Sequence, residues 1–316
     1  MIIDKKFKVG VIGVGSIAQI AHLPILKERT DVELVGVMAK HHENALRAQQ
    51  QYGFQKAVQN FNEFLDLDLD CAFVLSPKTE HPEQVNALIK SGIDVFCEKP
   101  LAMTLIEAER IANESEAHGV TVMVGFNRRF APVYRKAKLV FDSALPDVAI
   151  AQKNRPKSEY RATLENAIHM VDLLRYFNGE CDTVQAISRF SDPYYETMTT
   201  AQLSFKNGSV GILVADRTSG QWEETMEIHG GGRTVFVDSP DSITVTDGDQ
   251  SHTTKMTPIA MGWARVVDKL GFSQAADHFF ECLKTHEQPL TNAKDAFETH
   301  LLMHRILKSA GLPALD

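Results

Sequence analysis

Over its first 125 positions the chain alternates short apolar runs with longer amphipathic stretches. Lys8-Val-Gly-Val-Ile-Gly13 reads as a buried strand, and a helical pattern follows through Ile20, Leu23 and Leu26. Val32–Met38, Asp70–Leu75, Ile93–Cys97 and Val120–Val124 are further strands. Helices are predicted over about 42–52, 80–90 and 104–118, with Gly92 placed to end the second of these. This alternation predicts a doubly wound, mostly parallel sheet covered on both faces.

Beyond residue 125 the pattern changes. Helices around 133–141 and 164–177 flank a strand at Val148–Lys153. Strands then follow at Thr183–Phe190, Thr199–Phe205, Val210–Ala215, Glu224–His229, Thr234–Val237 and Ser242–Thr246. Asn207-Gly208 and Gly230–Gly232 sit where hairpin turns are needed, so an antiparallel meander is expected. Amphipathic helices at about 273–284 and 293–309 close the chain, and could pack against either half. The expected fold class is α/β: an N-terminal Rossmann-type sheet over 1–125, then an α+β domain over 126–316 with a large, mainly antiparallel, open-faced sheet. Ile212 and Val214 alternate on that open face, which predicts a homodimer or homotetramer formed through it.

Composition narrows the function classes. With 44% hydrophobic and 23% charged residues, the chain is that of a soluble globular protein. A formal charge of −8 argues against a nucleic-acid or acidic-membrane partner. No apolar run approaches the ~20 residues that cross a bilayer. Cys71, Cys97, Cys181 and Cys282 are widely spaced and form no CxxC pair, which suits a reducing cytoplasm.

Candidate chemistry lies at the strand ends. In Gly13-x-Gly15-x-x-Ala18, Gly13 permits a sharp turn, Gly15 lets a pyrophosphate reach the backbone, and Ala18 keeps helix and strand close. The N–H groups around Ser16, Ile17 and Ala18 would hold the phosphates of a dinucleotide. The second strand ends in Met38-Ala39-Lys40-His41-His42, without the carboxylate that usually holds the adenosine ribose. Ala39 leaves room and Lys40 supplies positive charge, a combination that favours NADP over NAD; a solvated loop is the alternative. Glu98-Lys99-Pro100 directly follows a buried strand, and Pro100 invites a cis peptide. A partly desolvated Lys99 at a cofactor cleft could stabilise a developing alkoxide, whereas an exposed ion pair would be inert. Glu165 and His169, four apart on a predicted helix, share a face on which the carboxylate could polarise the imidazole. A purely structural histidine is the alternative. His300 and His304 have chelating spacing but lack the glutamate of a zinc hydrolase motif, and no metal is expected.

Together these pieces resemble the Gfo/Idh/MocA family of NAD(P)-dependent oxidoreductases, and most closely its MviM-like subgroup. The resemblance covers almost the whole chain. It includes Gly13-x-Gly15-x-x-Ala18, Ser76-Pro77-x-x-x-His81, Glu98-Lys99-Pro100, Gly125-Phe-Asn-Arg-Arg-Phe130 and Ile168-His169-x-x-Asp172. It implies hydride transfer between a nicotinamide and a hydroxyl-bearing carbon of a sugar or cyclitol. By the same resemblance Lys99 contacts the nicotinamide ribose and the reacting hydroxyl, and His169 accepts the hydroxyl proton. Ser76, Pro77 and Glu98 would line the nicotinamide half of the site, and His81 joins the cofactor-binding candidates. Arg128 and Asn166 join the substrate candidates.

Two departures stand out. Glu165 occupies a position where the family usually has Asp, and the extra methylene displaces the carboxylate by about 1 Å, worth up to ~100-fold in rate if uncompensated. The segment Arg155–Thr163 is short and lacks the usual glycines; Arg155, Lys157, Tyr160 and Arg161 could face an acidic substrate group or simply form a solvated loop. A catalytically weak or inactive NAD(P)-binding regulatory protein of the same fold is therefore the alternative to a dehydrogenase.

Overall fold

The computed structural model describes residues 6–142, 145–156, 161–192 and 195–312. They group into two compact units, one of 1–125 with 275–297 and the other of 126–274 with 298–316.

The first unit is built on six parallel strands: β1 (Phe7–Ile12), β2 (Val32–Met38), β3 (Lys56–Val58), β4 (Cys71–Val74), β5 (Asp94–Cys97) and β6 (Val122–Val124). Their order is β3-β2-β1-β4-β5-β6, so the sheet reverses direction between β1 and β4. That crevice is where open α/β sheets bind ligands. The central strands β4 and β5 bury almost every side chain, as parallel strands covered on both faces must. Helix starts follow local chemistry: the Thr104 hydroxyl accepts from the Glu107 N–H while donating to its carboxylate. Neither β3 nor the short helix Phe61–Leu65 is predicted by periodicity, since three and five residues are too few to show one.

Residues 275–297 belong with this first unit, which corrects the boundary expected from sequence. The cause is aromatic packing. Phe279 meets the rings of Phe73 and Phe96 at 5.7 Å, and Phe280 meets Phe7 at 5.3 Å. The edge strand β6 is also covered there: Val124 N–H donates to the Thr291 carbonyl at 2.8 Å, and the Thr291 hydroxyl donates to the Val124 carbonyl.

The second unit carries β7 (Val148–Asn154), β8 (Cys181–Asp192), β9 (Tyr195–Phe205), β10 (Val210–Asp216), β11 (Glu223–Gly230), β12 (Arg233–Asp238), β13 (Ser242–Asp247) and β14 (Gln250–Lys255). Their order is β14-β13-β12-β11-β7-β10-β9-β8. The sheet is mainly antiparallel, but it is not the simple meander predicted. β7 inserts between β10 and β11 and runs parallel to β10. A helical segment separates β7 from β8, so β7 has no hairpin partner in sequence and pairs across a long connection instead. Its inward residues include Ala149 and Ala151, both fully buried, small enough for a helix to pack closely. β14 carries no apolar residue, so no hydrophobic alternation marks it; it is a polar edge.

The helix predicted over 164–177 is two elements. Ala162–Ala167 forms a wider π turn, and an α-helix runs from Ile168 to Asn178. A second π turn, Ala18–His22, follows the glycine loop. Such turns recur at functional sites, and local sequence gives no sign of them.

Candidate active site

At the carboxyl end of β1 the chain turns at Gly13, whose φ is +94°. A Cβ there would lie 2.5 Å from the Ser76 backbone nitrogen, so both conformation and space require glycine. Gly15 differs: a Cβ would meet no atom within 4 Å. The fold itself therefore does not demand glycine at 15, and the open space suits a group approaching the backbone. Gln19 N–H donates to the Gly15 carbonyl at 3.1 Å, the first bond of the helix. By helix geometry the N–H groups of Ser16, Ile17 and Ala18 point out of the helix start without an intrahelical acceptor, an arrangement that binds phosphate. Ala18 is fully buried and permits the close approach of helix to strand. This half of the site fits a dinucleotide pyrophosphate.

At the neighbouring end of β2, Gly13 N–H donates to the Met38 carbonyl at 2.9 Å. Ala39 is buried, while Lys40 and His41 are exposed. The place of the usual ribose-binding carboxylate is thus taken by a small buried residue followed by an exposed cation.

The ends of β4 and β5 carry Ser76, Pro77, Glu98 and Lys99. The Lys99–Pro100 peptide is cis, as Pro100 suggested. Glu98 is buried, and its Oε1 lies 2.7 Å from His22 Nε2 while its Oε2 accepts the Lys99 main-chain N–H at 3.1 Å. Burial pushes the Glu98 carboxyl up, but the His22 hydrogen bond and the nearby Lys99 charge help outweigh it and hold the group below the usual glutamate value. Lys99 itself is half-buried.

His81, expected among the cofactor-site residues, holds two backbone carbonyls. Its Nδ1 lies 2.8 Å from the Pro100 carbonyl and its Nε2 3.0 Å from the Ser76 carbonyl, and the ring is 1% exposed. Both nitrogens are thus occupied by backbone, so the ring braces the loop after β4 against the loop after β5. Burial lowers its pKa, only partly offset by the two carbonyls. Ser76 donates its hydroxyl to Gln84.

In the second unit, Glu165 Oε2 accepts the Arg161 main-chain N–H at 2.8 Å, which anchors the carboxylate at the start of the π turn. His169 opens the following α-helix, is buried, and lies edge-on to Phe126 with centroids 6.5 Å apart. Because Glu165 lies in the π turn and His169 in the α-helix, the shared-face rule for a regular α-helix does not describe the pair. Asn166 Nδ2 donates to the Lys153 carbonyl, and its buried Oδ1 has no hydrogen-bond partner. Asn166 thus offers an acceptor three residues before His169.

Arg128, expected among the substrate residues, is engaged by a buried carboxylate. Its guanidinium makes two bonds to Glu224, at 2.7 and 2.9 Å, and Lys153 binds the same carboxylate. Burial alone would raise the Glu224 carboxyl; the Arg128 and Lys153 charges pull it far below the ordinary value. Two cations on one buried anion form a structural brace. Arg155 stacks on Trp222, with Cζ 3.8 Å from the ring centroid, and Arg161 pairs with Glu196. Lys157 and Tyr160 lie outside the described residues. His300 is fully buried against Phe126, and no cluster of three or more metal-ligating side chains occurs among the described residues.

No local sequence pattern marks His22, Glu196 or Trp222. His22 sits in an apolar helical stretch and looks like ordinary core. Only its 76-residue reach to Glu98 reveals it.

Residues 7–126 match the model of the oxidoreductase family with an NAD-binding Rossmann fold, and residues 135–235 match the GFO/IDH/MocA C-terminal domain. YceM of Salmonella typhimurium is 26% identical over 313 residues, covering 97% of this chain and 99% of that protein. A myo-inositol 2-dehydrogenase of Thermotoga maritima is 26% identical over 323 residues, covering 96% of each. Among solved structures, the MviM dehydrogenase of Clostridium difficile superposes with a TM-score of 0.86 at 24% identity, covering 96% of this chain and all of that one. The sheet order, the glycine turn and the two matched domains lead to one conclusion: this chain belongs to the Gfo/Idh/MocA family of oxidoreductases.

Proposed function

We propose that the protein is an NADP-preferring dehydrogenase or reductase acting on a hydroxyl or keto carbon of a sugar or cyclitol. The reading rests on the convergence of Gly13–Ala18, Ala39-Lys40, Ser76-Pro77 and Glu98-Lys99 at the carboxyl ends of β1, β2, β4 and β5. The inositol dehydrogenase relative supports the substrate class. The small Ala39 and the cation of Lys40 support a 2′-phosphate.

When bound, the nicotinamide supplies the hydride acceptor or donor. In this reading the chain does the rest. Lys99 donates a hydrogen bond to the substrate oxygen and stabilises alkoxide character as hydride leaves the carbinol carbon. His169 takes the hydroxyl proton, with Glu165 orienting the imidazole. Asn166 Oδ1 accepts from a second substrate hydroxyl. Arg155, stacked on Trp222, is the candidate for an acidic substrate group. The four free thiols favour a reducing cytoplasm, and the open sheet face favours a homodimer or homotetramer.

The deciding experiment follows nicotinamide absorbance with purified protein against a panel of inositols, aldoses, uronates and their keto forms, with each dinucleotide. Turnover of a polyol or keto-sugar supports the proposal. Tight dinucleotide binding without turnover across the panel would favour the regulatory alternative.

A further inference from the structure

His22 and Glu98 are 76 positions apart in the chain, yet their side chains form one buried pair. His22 is 2% exposed and Glu98 is 7% exposed. Phe96 and Phe73 flank the imidazole at 5.4 and 6.0 Å between centroids, so water cannot readily replace it as the partner of Oε1. The other oxygen, Oε2, holds the Lys99 main-chain N–H. Glu98 N–H donates to the Val74 carbonyl at 3.0 Å. Glycine at 125 leaves the carboxylate its place, since a Cβ there would stand 3.3 Å from Oε1. Both carboxylate oxygens are therefore held by hydrogen bonds.

His22 lies in the π turn that continues the glycine loop, seven residues beyond Gly15. The pair thus joins the pyrophosphate-binding turn to the segment carrying Lys99. We propose that His22 is a positioning residue: acting through Glu98, it sets the direction in which Lys99 leaves β5 and keeps a fixed negative charge at the nicotinamide end of the site. The proposal rests on the cofactor reading above. Its chemistry has a consequence that packing alone lacks. A fixed carboxylate favours the cationic oxidised nicotinamide over the neutral reduced ring.

Two variants separate charge from packing. His22→Leu removes the donor and leaves Glu98 Oε1 buried without it, which favours the neutral carboxyl. His22→Gln retains an amide N–H at about the reach of Nε2. Equilibrium titrations with oxidised and reduced dinucleotide give the affinity ratio, and mass spectrometry gives the rate at which Lys99 is acetylated by acetic anhydride without cofactor. Glu98→Gln is expected to shift the affinity ratio toward the reduced form by about tenfold. His22→Leu should follow it in the same direction and alter Lys99 acetylation at least about threefold, whereas His22→Gln should stay near wild type. In the double variant the ratio should equal that of Glu98→Gln alone, because His22 acts through Glu98. If His22→Leu does not fold, His22→Asn, whose amide is too short to reach Oε1, takes its place. An unchanged ratio together with unchanged Lys99 acetylation overturns the proposal, as does an equal loss of both affinities without altered acetylation. If wild type binds neither dinucleotide, the cofactor reading fails, and the acetylation rates alone decide the positioning role.

Discussion

Arg129 and Asp172 form a buried pair, with Nε donating to Oδ2 at 2.8 Å and Nη2 to Oδ1. Asp172 is fully buried and also accepts the Thr299 hydroxyl at 3.0 Å. The pair ties the Asn127–Phe130 turn to the helix that carries His169. Removing one partner strands a charge in a dry environment. Asp172→Asn or Arg129→Met should therefore cost about 3–5 kcal/mol, read from the midpoint of urea unfolding. A loss below about 1 kcal/mol would show that the pair is not a brace.

Glu224 predicts an acid limit. Its folded-state pKa is depressed below 4.5. Between the folded and unfolded values the unfolded chain binds the extra proton, so stability rises with pH through that window. The contribution is complete above about 4.5 and is lost as pH falls below it. Glu224→Gln should flatten the stability profile below pH 4.5 and lower stability at neutral pH, since Arg128 and Lys153 lose their anion. Denaturant melts at pH 3 to 7 would check both, and an unaltered acid slope would contradict the assignment.

Lys99→Ala should lower turnover at least ~10³-fold while leaving dinucleotide affinity within a few-fold, because the ammonium acts on charge that develops during reaction. Lys99→Arg should not restore it, since a planar guanidinium is not a point donor. Steady-state rates beside fluorescence titration separate the two effects; retained activity in Lys99→Ala would remove Lys99 from the mechanism.

Cofactor choice is predicted to sit at Ala39 and Lys40. Wild type should bind NADPH more tightly than NADH. Lys40→Ala should weaken NADPH about tenfold, and Ala39→Asp should reverse the preference by placing a carboxylate where a 2′-phosphate would lie. Equal or tighter binding of NADH by wild type would refute the Lys40 reading.

On the outer face of the second sheet, Ile212 lies opposite Gln202 and Gln202 opposite Gln185, and Ile187 beside them is 71% exposed. Light scattering should give a mass of at least about twice 35.2 kDa. Ile187→Glu with Ile212→Lys should lower that mass without unfolding the chain. A wild-type mass of one chain would refute assembly through this face.

Much of this was legible in the sequence because its causes are local. The apolar runs mark β1, β2, β4 and β5, since a strand buried on both faces must be continuously apolar. Gly13 had to be glycine because its backbone conformation and the nearby Ser76 nitrogen both forbid a side chain. Glu98 and Lys99 could be named because they follow a strand that the pattern already delimits, and His169 because it lies four residues after Glu165 on a predicted helix. Tertiary structure decided the rest. It placed β7 between β10 and β11, joined 275–297 to the first unit through Phe279 and Phe280, and turned Arg128 and His81 into braces. It also brought His22 to Glu98. Whether a buried polar side chain faces a ligand or a protein partner depends on groups tens of residues away. Local pattern fixes which residues enter the interior, and only the packed chain fixes what they meet there.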